Sequence, residues 1–282
     1  MMAVRIYADN GCDLDRDLLE SLGVRLFYMS TTFKGATYFD RLNLTPPQFY
    51  RMIAESNDLP STSQVNLGEF QVEFERVVKN TDDHIIYIAF SSGLSGSYQS
   101  ACLARHAIDP RRITVIDSKS ASVGYGLSVV RAAQAVRRGL NRDQVVAEID
   151  DNCRRMEHVF TVGNFDMLKR GGRVSSTAAT LGNLLNIKLI LHLVDGKIVP
   201  LEKVHGLKRA KKRLLDIMEE RGKDLTSQLI GICYSQDYEG ALEIRDMIQS
   251  RFGCQDFLIS EIGAVIGSHV GAGTFAVFFL HE

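Results

Sequence analysis

Tryptophan is absent from the 282-residue chain and proline occurs only five times, while glycine stands at 23. The composition lacks the glycine-proline period of collagen and the polar excess of a disordered chain. An excess of one charge sign is missing too, since 33 Lys and Arg face 34 Asp and Glu for a net charge of −1. Dedicated nucleic-acid binders carry a clear basic excess, so no nucleic acid is expected as a partner. No apolar run approaches the ~18 residues that a membrane-crossing helix needs. The start, MMAVRIYADNGCDL, has neither a basic region nor an apolar core, which predicts a chain without a secretory leader. The five cysteines (12, 102, 153, 233 and 254) form no CxxC pair, and the seven histidines form no HxxxH or HExxH. A disulfide framework, a zinc site or any other metal site is not expected, nor a cofactor, and a reducing cytoplasm is the expected location.

What is present is an ordinary globular balance, 45 % hydrophobic and 24 % charged, in a length that corresponds to about two domains at ~150 residues each. In the first half, Val4–Ala8, Arg25–Phe33, Ile85–Phe90 and Ile113–Ile116 are β-branched and aromatic runs that read as strands. Helix signals lie between them. Thr45 precedes Pro46 as an N-cap, and Asn66 with Glu69 opens a helix striped by Leu67, Phe70, Phe74, Val77 and Val78. Ala121–Arg138 ends at Gly139, and Asn141–Met156 repeats Val145, Ile149 and Cys153 at helical spacing. This alternation predicts a Rossmann-like, doubly wound parallel sheet with helices on both faces over 1–155.

In the second half His158–Val162, Ile187–Val194, Lys197–Leu201, Leu229–Tyr234, Phe257–Glu261 and Phe275–Leu280 read as strands. Asp195-Gly196 between two of them is a type I′ hairpin signal, which requires antiparallel pairing. Residues 156–282 are therefore expected to form a mixed, partly antiparallel α/β sheet domain with helices on one face. No Pro/Gly/Ser-rich linker, repeat or low-complexity stretch marks the boundary near residue 155.

The segment 88–107, IAFSSGLSGSYQSACLARHA, places a Ser/Gly loop between a strand ending at Phe90 and a helix starting near Ser95. Backbone N–H groups and the positive end of a helix there suit a phosphate or carboxylate, and Ser91, Ser92, Ser95 and Ser97 add hydroxyls. The alternative is a serine-capped turn with no ligand. The loop is neither a Walker A motif nor a GxGxxG fingerprint. It does approach a nucleophile elbow, since Gly93-Leu94-Ser95-Gly96 lacks only a glycine at Ser97, and Asp117 and His269 follow in the order of an α/β-hydrolase triad. A module for a small polar molecule or peptide is a third reading.

Four further segments stand out. Pro60–Gln64 (PSTSQ) reads as a polar loop that either lines a headgroup or is only a loop. Gly263–Gly273 surrounds His269 with glycines, so its backbone is expected to pack closely against a neighbouring element or a ligand, with His269 on an anion or a core carbonyl. Phe165–Ser175 reads as a short helix ended by Gly171 with Lys169, Arg170 and Arg173 crowded together. Lys203–Arg213 is a basic run on a helix whose Leu207, Ala210, Leu214 and Met218 face inward. Lys208, Arg209, Lys211, Lys212 and Arg213 are left as a solvated face or a surface for an acidic partner or an anionic membrane.

Taken in order, Asp9–Leu14 (DNGCDL), Ser61–Gln64 (STSQ), Ser91–Ala101 (SSGLSGSYQSA), Val115–Ser122 (VIDSKSAS) with Gly124 and Gly126, Leu168–Ser175 (LKRGGRVS), Leu184–Leu191 (LLNIKLIL) and Ile266–Gly273 (IGSHVGAG) resemble the DegV family. These are fatty-acid-binding proteins that serve as the acyl-carrying subunits of bacterial fatty acid kinase. The resemblance implies a two-domain α/β fold around one long-chain fatty acid, with Thr62 and Ser95 on its carboxylate and His269 nearby. It also implies Arg173 toward a partner ATP-binding acyl kinase or the acyl phosphate. On that account the protein is a presenting protein, not an enzyme, with a fatty acid as ligand, no cofactor, and at most transient contact with a membrane surface. The sequence departs from the family pattern at Asn10, Val65, Ala272 and His205, where Ser, Pro, Pro and Arg are usual.

Overall fold

A computed structural model describes residues 3–56, 58–163, 165–174 and 186–282. The N-terminal half runs β1 (Val4–Asp9), α1 (Arg16–Leu22), β2 (Arg25–Phe27), β3 (Ser30–Phe33), β4 (Ala36–Phe39), α2 (Pro46–Ala54), β5 (Ser61–Ser63), α3 (Leu67–Asn80), β6 (His84–Ala89), α4 (Ser97–Ile108), β7 (Ile113–Asp117), α5 (Ser122–Arg137) and α6 (Arg142–Arg155). Four of these strands form a parallel sheet in the order β2-β1-β6-β7. Every residue of β6 is buried, as a central strand covered on both faces requires. The helices α3 and α4 pack together on one face and α5 and α6 on the other. Thr45 and Asn66 cap helices as read, and Thr45 closes a full capping box through Gln48, as Asn141 does through Gln144.

The run Arg25–Phe33 is two strands, not one. Asn10 donates to Met29 O at 3.0 Å and accepts from Met29 N at 2.8 Å. With Met29's backbone taken by that side chain, the ladder cannot continue. The chain leaves the parallel sheet and re-pairs in a small antiparallel sheet ordered β4-β3-β5. Its third strand is the PSTSQ segment, read as a loop but extended here, with Thr62 opposite Thr31.

The second half runs β8 (Met156–Thr161), α7 (Phe165–Arg170), β9 (Ile187–Val194), β10 (Lys197–His205), α8 (Leu207–Arg221), β11 (Ile230–Tyr234), α9 (Tyr238–Phe252), β12 (Phe257–Glu261), α10 (Ala264–Val270) and β13 (Phe275–Leu280). Six strands form a mixed sheet, β10-β9-β8-β13-β11-β12, in which only β11 and β12 pair in parallel. Asp195 (φ 48°) and Gly196 (φ 75°) make the β9–β10 turn, both in the left-handed region that a type I′ hairpin needs. The helices α8 and α9 close one face over Val159, Ile190, Ile232, Val277 and Phe279. The opposite face, with Phe160, Leu191, Cys233, Ala276 and Phe278, turns toward the N-terminal half.

The basic run on β10 and α8 is less exposed than its charge suggests. Lys211 is buried, with Nζ on Glu243 at 2.7 Å, on Gly240 O at 3.2 Å and 4.5 Å from the centre of the Phe275 ring. Arg213 pairs with Glu202 and Glu220. Its neighbours Lys208, Arg209 and Lys212 are exposed. The segment Phe165–Ser175 is helical to Arg170 and turns at Gly171, as read, while Ser175, Leu184 and Leu185 lie outside the described residues. No described helix is long and apolar enough to cross a membrane. Among the described residues no group of three or more His, Cys, Asp or Glu could hold a metal ion.

Candidate functional site

Between the open face of the mixed sheet and the N-terminal half lies a cavity of about 370 Å³, within the size range of small-molecule sites. Its wall is largely apolar, drawn from Met29, Phe90, Leu94, Phe160, Leu168, Leu193, Ile198, Val265, Ile266, Val270, Ala276 and Phe278. The polar-lined pocket of the small-molecule or peptide reading is therefore not what the chain builds. Thr62, Ser95, Arg173 and His269 all reach this one cavity, although they come from four separate stretches of sequence.

Contacts link Thr62, His269 and Arg173, and Ser95 is tied to them through the backbone of Leu94. Thr62 Oγ1 and His269 Nε2 are hydrogen-bonded at 2.8 Å. Nδ1 of His269 lies over Gly171, where a Cβ would stand 2.4 Å from it, so only glycine lets the imidazole lie there. Two residues on, Arg173 donates from Nη1 to Gly171 O and from Nε to Leu94 O at 3.5 Å. Ser95 follows Leu94, and Gly96 rests against the side chain of Gln64, two residues from Thr62. His269 is neither on a core carbonyl nor charged. Burial first, and Arg173 second, push its pKa down to about 4. Nδ1 has no hydrogen-bond partner among the described residues, which leaves a polar atom unsatisfied.

The loop after β6 is held by groups that do not face the ligand space. Asp9, fully buried, accepts from Phe90 N at 3.0 Å and from Tyr87 Oη at 2.7 Å, and burial raises its pKa to about 6. Ser91 Oγ donates to Gly196 O at 2.7 Å, so the β9–β10 turn sits on this loop. Ser92 donates from Oγ (2.5 Å) and N (3.1 Å) to Asp117. Ser97 Oγ accepts from Val65 N at 3.1 Å. Of the four serines only Ser95 lines the cavity; its Oγ is 3.0 Å from Ser97 Oγ and 3.7 Å from Met29 Sδ. The other three are used as structure.

The hydrolase triad does not assemble. Asp117 is bonded to Ser92 and Lys119 N, and His269 to Thr62, so no carboxylate orients the imidazole toward Ser95. Ser95 is also not among the residues with positive φ, whereas a nucleophile elbow strains its serine.

Sequence reading missed the sheet side of the cavity. Phe160, Cys233, Ala276 and Phe278 line it, and the alternation along FAVFFL was the signal, since Ala276 and Phe278 must share a face. It also missed Met29, which reaches the site through the Asn10 bridge, whereas Gln64 of the PSTSQ segment lines the cavity as that reading allowed.

The family described as "Uncharacterised protein, DegV family" matches residues 3–282. The chain belongs to the DegV family. A DegV domain-containing protein of Clostridium perfringens is 38 % identical over 284 residues, covering 98 % of this chain and 97 % of the relative. Among solved structures, a DegV family protein from Thermus thermophilus, described as fatty acid binding, superposes with a TM-score of 0.92 at 31 % identity over the whole of both chains. DegV of Bacillus subtilis, described as a fatty acid binding protein, gives a TM-score of 0.88 at 28 % identity, again over the whole of both chains.

Proposed function

We propose that this DegV family member carries one long-chain fatty acid, buries the acyl tail in the cavity and fixes the carboxylate through Thr62 and Ser95. One observation carries the reading: a mostly apolar cavity that hydroxyl, imidazole and guanidinium groups from four separate stretches of sequence all line. The relatives described as binding fatty acids support it. Physical need agrees. A C16 chain has about fifteen methylene and methyl groups, each worth ~0.8 kcal/mol on burial, so on the order of 10 kcal/mol favours the cavity over water. The hydroxyls of Thr62 and Ser95 supply donors to a carboxylate, Arg173 adds a positive charge, and neutral His269, with its one N–H on Nε2 donating to Thr62 Oγ1, leaves the Thr62 hydroxyl proton for the carboxylate.

On this reading the chain presents the acyl group and does not react with it. The phosphoryl transfer is assigned to a partner ATP-dependent kinase, which receives the carboxylate and leaves acyl phosphate on this chain, with Arg173 facing the partner or the phosphate. The five free cysteines suit a cytoplasmic carrier. The exposed Lys208, Arg209 and Lys212 suit brief contact with an anionic membrane surface during loading. We assign 1–155 and 156–282 as the two domains, since α6 ends at Arg155 and β8 opens the second sheet at Met156.

The test is calorimetric titration of delipidated protein with palmitate and oleate. Wild type is expected to bind about one fatty acid per chain. Thr62→Ala with Ser95→Ala is expected to bind on the order of 100-fold more weakly, because each hydrogen bond to a charged group is worth ~1.5–3 kcal/mol. No uptake by wild type overturns the carrier reading. Unchanged affinity in the double variant overturns the assignment of the carboxylate site.

A further inference from the structure

His269 owes its place to α10, and α10 is held from the other half of the molecule by residues outside the cavity. Its first backbone N–H groups meet two buried carboxylates of the N-terminal half. Gly263 N donates to Asp13 Oδ1 at 2.9 Å and Ala264 N to Asp40 Oδ1 at 3.0 Å. Carboxylates at the start of a helix satisfy its free donors and oppose its positive end. Arg41 completes the contact, donating from Nη2 to Glu261 O at 2.5 Å, to Ser260 Oγ at 3.2 Å and to Asp13 O at 3.4 Å. Asp13 Oδ2 accepts from Ser122 Oγ at 2.5 Å, while Asp40 Oδ2 stands 3.8 Å from Arg41 Nε and neither atom has a hydrogen-bond partner among the described residues. Asp13 (φ 50°) and Arg41 (φ 57°) both adopt left-handed backbone, which non-glycine residues avoid.

Halfway along the helix, Gly267 lies against α2. A Cβ there would stand 2.7 Å from Phe49 Cε1 and 2.8 Å from Tyr50 Oη, so glycine lets the two α2 rings lie against the α10 backbone. Val265, Ile266, His269 and Val270 then face the cavity. His269 lies five residues beyond the Asp40 contact, roughly 7.5 Å along the helix axis.

We propose that Asp13, Asp40 and Arg41 are positioning residues that lock α10 onto the N-terminal half and thereby set His269 against Thr62. The proposal rests on the reading of the cavity as a fatty acid carboxylate site. Burying two carboxylates around one guanidinium costs free energy that plain packing would not. In keeping with this, burial raises Asp13 to a pKa of about 7 and raises Asp40 above the usual carboxylate range. The arrangement gives direction and register to a short helix that would otherwise be free to slide.

The experiment combines imidazole ¹⁵N NMR of His269, assigned with His269→Gln, and the rate of transfer of bound oleate to phosphatidylcholine vesicles. Asp40→Ala removes the acceptor for Ala264 N, and Arg41→Lys keeps the charge but not the guanidinium whose Nη2 reaches three oxygens. Each is expected to release oleate about tenfold faster and to shift the His269 ring signals, a tenfold change corresponding to the loss of one helix cap. Asp40→Asn, which retains a carbonyl acceptor, is expected to stay within about threefold of wild type. Wild-type release and wild-type ring signals in folded Asp40→Ala and Arg41→Lys overturn the proposal. If Asp40→Ala does not fold, Arg41→Lys alone decides it. If wild type takes up no oleate, the carrier reading falls, and the ring signals of the ligand-free proteins decide the positioning claim separately.

Discussion

The two faces of the six-stranded sheet carry the same alternation and end differently. In one row across the middle strands, Val159 pairs with Val277 and Val277 with Ile232. In the next row, on the opposite face, Phe160 pairs with Ala276 and Ala276 with Cys233. The first row is covered by α8 and α9 and closes into a core. The second carries two small side chains where the first has β-branched ones, and the cavity lies over it. The space is made by side-chain size on a dry surface. Polar groups reach it from Thr62, Ser95, His269 and Arg173, and Ser122, His158 and Thr274 also line the wall.

The comparison predicts opposite responses on the two faces. The largest effect on stability is expected on the closed one. Phe279→Ala removes a fully buried ring from that core and is expected to cost about 3–5 kcal/mol in urea unfolding, as large-to-small core changes do. A loss below about 1 kcal/mol would mean that this face is not the close-packed one.

A second effect comes from titration, and here the sign is decisive. His158 and His269 both lie on the cavity, and burial pushes each pKa down to about 4. The unfolded chain binds more protons at these two sites between about pH 6.5 and 4, so they weaken folding as the pH falls through that window. Asp9 and Asp13, raised by burial to about 6 and about 7, act the other way. The folded state holds their protons at pH values where the unfolded chain has released them, so they strengthen folding as the pH falls from about 7 toward 4. Asp9→Asn removes one of the compensating groups. Its stability is expected to fall relative to wild type by on the order of 2 kcal/mol between pH 6.5 and 4.5, measured by urea unfolding at each pH. Parallel wild-type and variant profiles would show that Asp9 is not held protonated by its burial.

Smaller still is the expected effect of filling the open face. Ala276→Leu adds bulk where there is already room and is expected to change stability by less than about 1.5 kcal/mol while lowering fatty acid uptake. Full uptake in a folded Ala276→Leu would break the comparison. Lys211→Met comes last. Its ammonium is buried against Glu243 and Phe275 on the closed side, and an apolar side chain of similar length is expected to alter the melting temperature by only a few degrees. A loss of 3 kcal/mol or more, about what breaking a buried pair costs, would show that this ion pair holds α8 to α9.

These contrasts also separate what a linear reading reaches from what it does not. β9, β12 and β13 have the bounds expected of apolar runs stopped by turn residues, and Thr45 and Asn66 cap helices as their spacing implies. Such signals are local. The break at Met29 depends on Asn10, nineteen positions earlier. The burial of Lys211 depends on Glu243, and the hold on α10 depends on Asp13, 250 positions from Gly263. Thr62, Ser95, His269 and Arg173 could be named from family-like motifs. Their meeting at one cavity, and the apolar wall beside them, required the register of β5 and β13.

The account turns on whether the cavity holds a fatty acid, and the most direct measurement is mass spectrometry of an organic extract of the purified protein, without added lipid. About one long-chain fatty acid per chain is predicted, with much less from Ala276→Leu. An extract without lipid, from protein that also takes up neither palmitate nor oleate when they are added, would contradict the account.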